Sequence, residues 1–145
     1  MKDLDLTAET IDIRDVIERY ETLETDLEGL TGKDAGDFAG YEGWLQYAES
    51  QEVDPDLIAE FKTLRSLLDE LAGCGGDEQW RGDWYPITLV SNSYFVGYAQ
   101  ELVEDCGYLP RDLPHWIAID WEKTADAVKE DYSLVTVGSN DYWYR

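Results

Sequence analysis

Glu122, Asp126 and Glu130 recur every four residues, and Glu24 and Glu28 repeat that step nearer the amino-terminal end. On a helix this spacing stacks like charges along one side, roughly 6 Å apart, and costs a few tenths of a kcal/mol per pair. Lys123 and Lys129 offset only part of that cost. A row of fixed anions can simply solvate a helix face. It can also meet the lysines and arginines of a protein that ordinarily grips nucleic acid, because each strand of a duplex carries a phosphate every ~3.4 Å of axis. Asp15, Glu18 and Glu21 fall on the outer faces of the first expected helix, and Asp120 and Asp131 bracket the helix that begins at Trp121. Together these ten carboxylates are the candidate partner-binding residues.

Catalytic patterns are absent from the sequence. The single histidine, His115, lies between Pro114 and Trp116 with no sequence-near base or ligand, as in a packed or exposed loop. No G-x-S-x-G, H-E-x-x-H or dinucleotide glycine fingerprint occurs. Asp3-Leu4-Asp5 and Asp54-Pro55-Asp56 lack the further oxygen ligands and the glycine of a calcium loop. The glycine-rich run Gly73–Asp83 lacks the Lys-Ser/Thr of a phosphate-cradling loop, and its acids would repel a phosphate. Cys74 and Cys106 form no C-x-x-C pair and read as free thiols. A nuclease assembled from dispersed carboxylates would need bases to hold its substrate, yet 11 Lys and Arg face 33 Asp and Glu. The expectation is a protein that is not an enzyme, with no cofactor and no metal.

Composition says what kind of object carries these acids. The formal net charge is −22 on 145 residues, but 43% of the chain is hydrophobic and it holds 6 Trp and 10 Tyr. A disordered acidic tail lacks that apolar content. A folded domain is therefore expected, with a negative surface whose self-repulsion works against the compact state. Such a surface is repelled by nucleic acid and by anionic lipid, so direct binding to either is disfavoured. No apolar run of ~20 residues and no basic-flanked leader is visible, which points to the cytoplasm. Adaptation to a saline cytoplasm would also give acidity. The low count of five lysines fits that idea, whereas the ordinary supply of large apolar side chains opposes it.

The charge is uneven. Residues 1–72 hold 20 acids and 6 bases, and residues 73–145 hold 13 acids and 5 bases. In the first part, Ile13, Val16, Ile17, Tyr20, Leu23, Leu27 and Leu30 step by three and four, predicting a helix from Thr10 to Leu30. A shorter aromatic helix is expected around Phe38–Ala48. Asp54, Pro55 and Asp56 then form a strong helix start, whose stripe of Leu57, Ile58, Phe61, Leu64, Leu68 and Leu71 ends at Gly73. The two long stripes suggest a helical hairpin. Beyond Gly73, Trp84–Val90 reads as an edge strand because it contains Pro86. Ser91 or Asn92 can cap a helix through Val103, and Pro110 and Pro114 interrupt the chain. Asp120 caps a helix to about Asp131, and Ser133–Val137 with Tyr142–Tyr144 form a hairpin turning at Gly138-Ser139-Asn140. The expected fold is α+β. An acidic helical segment (1–73) and a glycine-rich linker (74–83) lead into a domain (84–145) with a small three-stranded antiparallel sheet and two helices on one face, in the order β-α-α-β-β.

Tyr94-Phe95-Val96-Gly97-Tyr98-Ala99-Gln100-Glu101-Leu102, then Ile119-Asp120-Trp121-Glu122 with Ala125, Asp131-Tyr132 and the closing Tyr142-Trp143-Tyr144-Arg145, resemble the antirestriction protein ArdA family. The resemblance covers about residues 84–145, and a Gly75–Leu89 stretch is similar to small phage and prophage proteins. It implies an acidic, elongated, dimeric protein that fills the DNA-binding groove of type I restriction-modification enzymes. Carried over by position, Asp120, Glu122 and Asp131 fall on acidic positions of the family, and Tyr94, Tyr98, Trp121, Tyr132 and Trp143 on core or dimer-surface aromatics. Residues 1–72 do not match the family's amino-terminal domain, which leaves the target open. The expected function is a DNA-mimic inhibitor of a host defence enzyme, foremost a type I restriction-modification complex. Inhibition of a CRISPR effector or another DNA-binding enzyme, or an acidic phage assembly role through the Leu/Ile stripe, stand as alternatives.

Overall fold

The computed structural model describes residues 4–109, 112–137 and 139–145. Its first helix, α1 (Ile13–Thr31), is wound by the apolar stripe, and Ile13, Val16, Ile17, Tyr20, Leu23 and Leu27 are buried along it. Asp12 caps it by accepting from the Arg14 amide, and Gly32 ends it in the left-handed region at φ 67°. The stripe departs from expectation at its end. Leu30 is 59% exposed, and Thr31, four residues after Leu27, takes the inward place. The Thr31 hydroxyl donates to the Leu27 carbonyl and accepts from the buried Trp44 indole N–H at 3.2 Å, so neither polar group is left unpaired.

A 3-10 turn (Ala35–Phe38) leads to α2 (Tyr41–Ser50), and α3 (Pro55–Leu71) opens as the sequence predicts, with the Asp54 carboxylate accepting from the Asp56 amide. α1 and α3 are joined by stacking of Tyr20 on Phe61, with ring centroids 4.8 Å apart. Next to this stack Arg19 donates to both carboxylate oxygens of Glu60 at 2.9–3.1 Å.

Three expectations are corrected. The helix expected from Thr10 begins at Ile13, because Thr10–Asp12 is a strand, β1, pairing antiparallel with Thr88–Ser91. The segment 74–83 expected as a linker carries β2 (Asp77–Trp80), which pairs with β3 (Asp83–Tyr85) around Arg81 and Gly82, both at positive φ as tight hairpin turns demand. The strand expected over Trp84–Val90 is thereby split. Pro86 has no N–H to continue a ladder, and β4 (Thr88–Ser91) resumes in a different sheet.

With β5 (Ser133–Val137) and β6 (Asn140–Tyr144) the main sheet is four-stranded, in the order β1-β4-β6-β5, rather than three-stranded. The expected turn residue Gly138, the interrupting Pro110 and Asp3 lie outside the described residues. Alternation along the strands divides the side chains between two faces. Leu89, Val135, Val137 and Tyr142 join the core formed with α1, α2 and α3. Val90 and Trp143 turn the other way, toward Phe95 and Ala99 of α4 (Phe95–Asp105) and Ala125 and Val128 of α5 (Trp121–Lys129). The protein is thus an α+β fold of three layers, and residues from 1–73 and 84–145 share the larger core. α4 begins after Tyr94 without a side-chain cap. The residues expected to cap it are engaged elsewhere, Ser91 with Ser93 and Asn92 as acceptor for the Trp143 indole at 3.0 Å. Among the described residues no helix is long and apolar enough to cross a membrane.

Candidate functional site

The acids of α1 and those of α5 lie in opposite outer layers, so the sheet separates them into two surfaces rather than one row. On α1, Glu18 and Glu21 are exposed and Asp15, Glu24 and Glu28 are half-buried. Glu21 and Glu24 are held by the chain itself. Glu21 accepts from the Trp80 indole N–H at 2.6 Å, and Glu24 accepts from the Tyr41 hydroxyl at 3.1 Å with the Arg81 guanidinium 3.7 Å away. Arg81 is fixed there by stacking 4.1 Å over the Trp80 ring. Close by, burial and the Tyr41 hydrogen bond raise the Tyr20 hydroxyl well above its ordinary value.

α5 presents a barer face. Asp120 caps the helix by accepting from the Lys123 amide at 3.1 Å. Glu122 and Asp126 are exposed along the helix, and Glu130 and Asp131 just past its last turn. Among the described residues, the one base in an ion pair with this row is turned inward. Lys129 lies 5.1 Å from the Trp143 ring and 5.4 Å from the Phe95 ring, donates to Asn92 at 3.4 Å, and approaches Asp126 only at 3.9 Å. Glu122, Glu130 and Asp131 have no ion pair among the described residues.

α4 packs directly on α5 and adds acids that the sequence reading did not single out. Glu101, Glu104 and Asp105 are exposed; Glu101 accepts from the Tyr94 hydroxyl at 2.8 Å and Glu104 from Gln100 at 3.2 Å. Their signal was present, because Glu101 and Asp105 are four residues apart, the same step that marks the α5 row. Aromatic side chains fill the space beneath. Tyr98 and Tyr132 share a hydroxyl–hydroxyl hydrogen bond of 2.8 Å, and Phe95 packs edge-on against both Tyr132 and Trp143.

His115 is exposed, Cys74 is half-buried and Cys106 exposed, and both thiols are free. Among the described residues no group of three or more His, Cys, Asp or Glu side chains could hold a metal ion. No protein-family model, curated protein or solved structure matches the chain.

Proposed function

We propose that this protein is an acidic DNA mimic, without catalysis of its own, that occupies the basic DNA-binding cleft of a host defence enzyme in the host cytoplasm. A type I restriction-modification complex is the foremost target. The observation that carries this reading is the α4–α5 layer, where the exposed Glu122, Glu130 and Asp131 have no ion pair among the described residues, while Lys129, 3.9 Å from Asp126, packs against the Trp143 ring. Like charges held at helical spacing weaken the fold, and partner lysines and arginines would relieve that repulsion while releasing their own condensed counterions. The competing assembly role through the Leu/Ile stripe loses its motive, because Ile13, Val16, Leu23, Leu64, Leu68 and Leu71 are buried in the protein's own core.

The test is inhibition of a purified type I complex across a salt series, with duplex DNA as competitor. Binding should weaken steeply with salt and be displaced by DNA. Reversing Glu122, Asp126 and Glu130 to lysine should abolish it. Affinity that stays flat from low to high salt overturns the reading.

A further inference from the structure

Of the six tryptophans, Trp44 is buried, Trp80, Trp121 and Trp143 are half-buried, and Trp84 is 50% exposed. Trp116 stands apart at 74% exposure, on the connection between α4 and α5. It belongs to neither core. Among the described residues its ring has no aromatic or cationic neighbour, and its indole N–H has no acceptor. The local chain holds the indole out. Pro114 fixes its own φ, and the Ile117 amide donates to the Pro114 carbonyl at 3.0 Å, closing a turn with His115 and Trp116 at its tip. Residues 114–118 are all exposed, between the half-buried Leu113 and Ile119.

The surroundings of this ring are anionic. Within residues 104–122 the sequence places Glu104, Asp105, Asp112, Asp120 and Glu122 against a single base, Arg111. These acids are exposed, and among the described residues none of them is in an ion pair. Asp120 is four residues from Trp116, a reach of at most ~14 Å. That reach matches the rise of about four base-pair steps of a duplex.

A surface complementary to these acids is basic, and what seats the indole is a slot for a planar ring with an acceptor for one N–H. Lysines and arginines around such a slot describe an enzyme that takes a base out of the stack and holds it by stacking and hydrogen bonds. The modifying half of a restriction-modification complex does chemistry on a base, so a pocket of this kind belongs to the target class proposed above. Indole is bicyclic and flat, as a purine is, and stacking on a π-face is tolerant of the ring's identity. Resting on the DNA-mimic reading, we propose that Trp116 imitates an extrahelical purine. It enters the base-accepting pocket of the target, while the acids on either side of it stand in for the flanking phosphates.

The test uses the full chain and a purified type I complex, with affinity measured across a salt series for the parent, Trp116→Ala and Trp116→Phe. Trp116→Ala should bind roughly five- to 150-fold more weakly, the range covered by loss of one stacked ring. The slope of log affinity against log salt should stay as in the parent, because no charge is removed. Trp116→Phe should recover part of the loss. Both variants should keep the parent's urea midpoint, since the side chain lies outside both cores. A photoreactive benzoyl-phenylalanine in place of Trp116 should crosslink to the segments lining the base pocket of the modification subunit. A lowered urea midpoint would mean that the ring packs on the protein itself, and overturns the proposal. Salt-steep, DNA-displaced binding that is unchanged in Trp116→Ala, or crosslinks confined to other surfaces, overturns it and leaves the DNA-mimic reading standing. Failure of the parent to bind overturns both.

Discussion

The indole N–H of Trp80 donates to the carboxylate of Glu21 across 2.6 Å, joining the β2–β3 hairpin to α1 over 59 positions of sequence. The Trp80 ring also meets Tyr20 edge-on at 5.2 Å and carries Arg81 on its face, so one side chain ties the hairpin to the larger core. Trp80→Phe keeps most of the packing and removes the donor. It should cost about 0.5–1.5 kcal/mol, and Trp80→Ala about 3 kcal/mol or more, read as shifts in urea midpoint. Equal loss in the two variants would mean that the hydrogen bond, not the ring, holds the hairpin.

The same contact sorts the acids by role. Among the described residues the Glu18 carboxylate has no hydrogen bond or ion pair, whereas Glu21 and Glu24 serve the fold. Replacing Glu24 by Ala removes the acceptor of the Tyr41 hydroxyl and the carboxylate beside Arg81, and should destabilise the protein by about 1–3 kcal/mol. Glu18→Ala should stay within about 0.5 kcal/mol of the parent in the same urea assay. A similar cost for both would remove the distinction between structural and available carboxylates.

On α5 the sign is opposite. Replacing Glu122, Asp126 and Glu130 by Gln, Asn and Gln removes two like-charge steps and should stabilise the protein by about 0.4–1 kcal/mol, seen as a higher melting temperature. The same variant should lose inhibitory binding, because the charge that weakens the helix is the charge the proposed partner uses. A variant that gains stability and keeps full affinity would move the binding surface elsewhere, with the α4 acids next to be tried.

How much of this could be read from the chain follows from the range of each interaction. α1 and α3 are written in local steps of three and four and in caps such as Asp54-Pro55, so both were legible. β1 was not, because three residues have no period of their own and become a strand only by pairing Thr10 with Val90. The hairpin at 77–85 was hidden by its glycines and by a bulge between Glu78 and Trp80 that breaks alternation. The α5 row was legible because its partners are solvent. The engagement of Glu21 and Glu24 was not, since Trp80 and Arg81 reach them only after the hairpin folds back.

Gly76 should be the least replaceable residue of that hairpin. At φ 67° an alanine is strained, and its Cβ would also lie 1.9 Å from the Tyr85 carbonyl oxygen. Gly76→Ala should therefore cost more than the ~1 kcal/mol of backbone strain alone. Gly82, at φ 78° with nothing within 4 Å of a Cβ, should show only the strain. Parallel urea titrations of the two variants separate strain from collision, and equal losses would place Tyr85 differently.

The Tyr98–Tyr132 pair gives the fold an alkaline limit. Burial first, then the hydrogen bond to Tyr132, push the Tyr98 hydroxyl up to about 12 from 10.0. Above pH 10 the unfolded chain releases this proton while the folded state keeps it, so stability present at lower pH declines as pH rises toward about 12. Unfolding free energy measured by urea titration at successive alkaline pH values should fall across that window, with tyrosinate absorbance of the folded protein lagging behind that of the unfolded chain. Tyr132→Phe removes the second-largest cause and leaves burial, so Tyr98 should ionise at lower pH and the decline should flatten without vanishing. An unchanged absorbance curve in that variant would mean that the two hydroxyls are not bonded in solution.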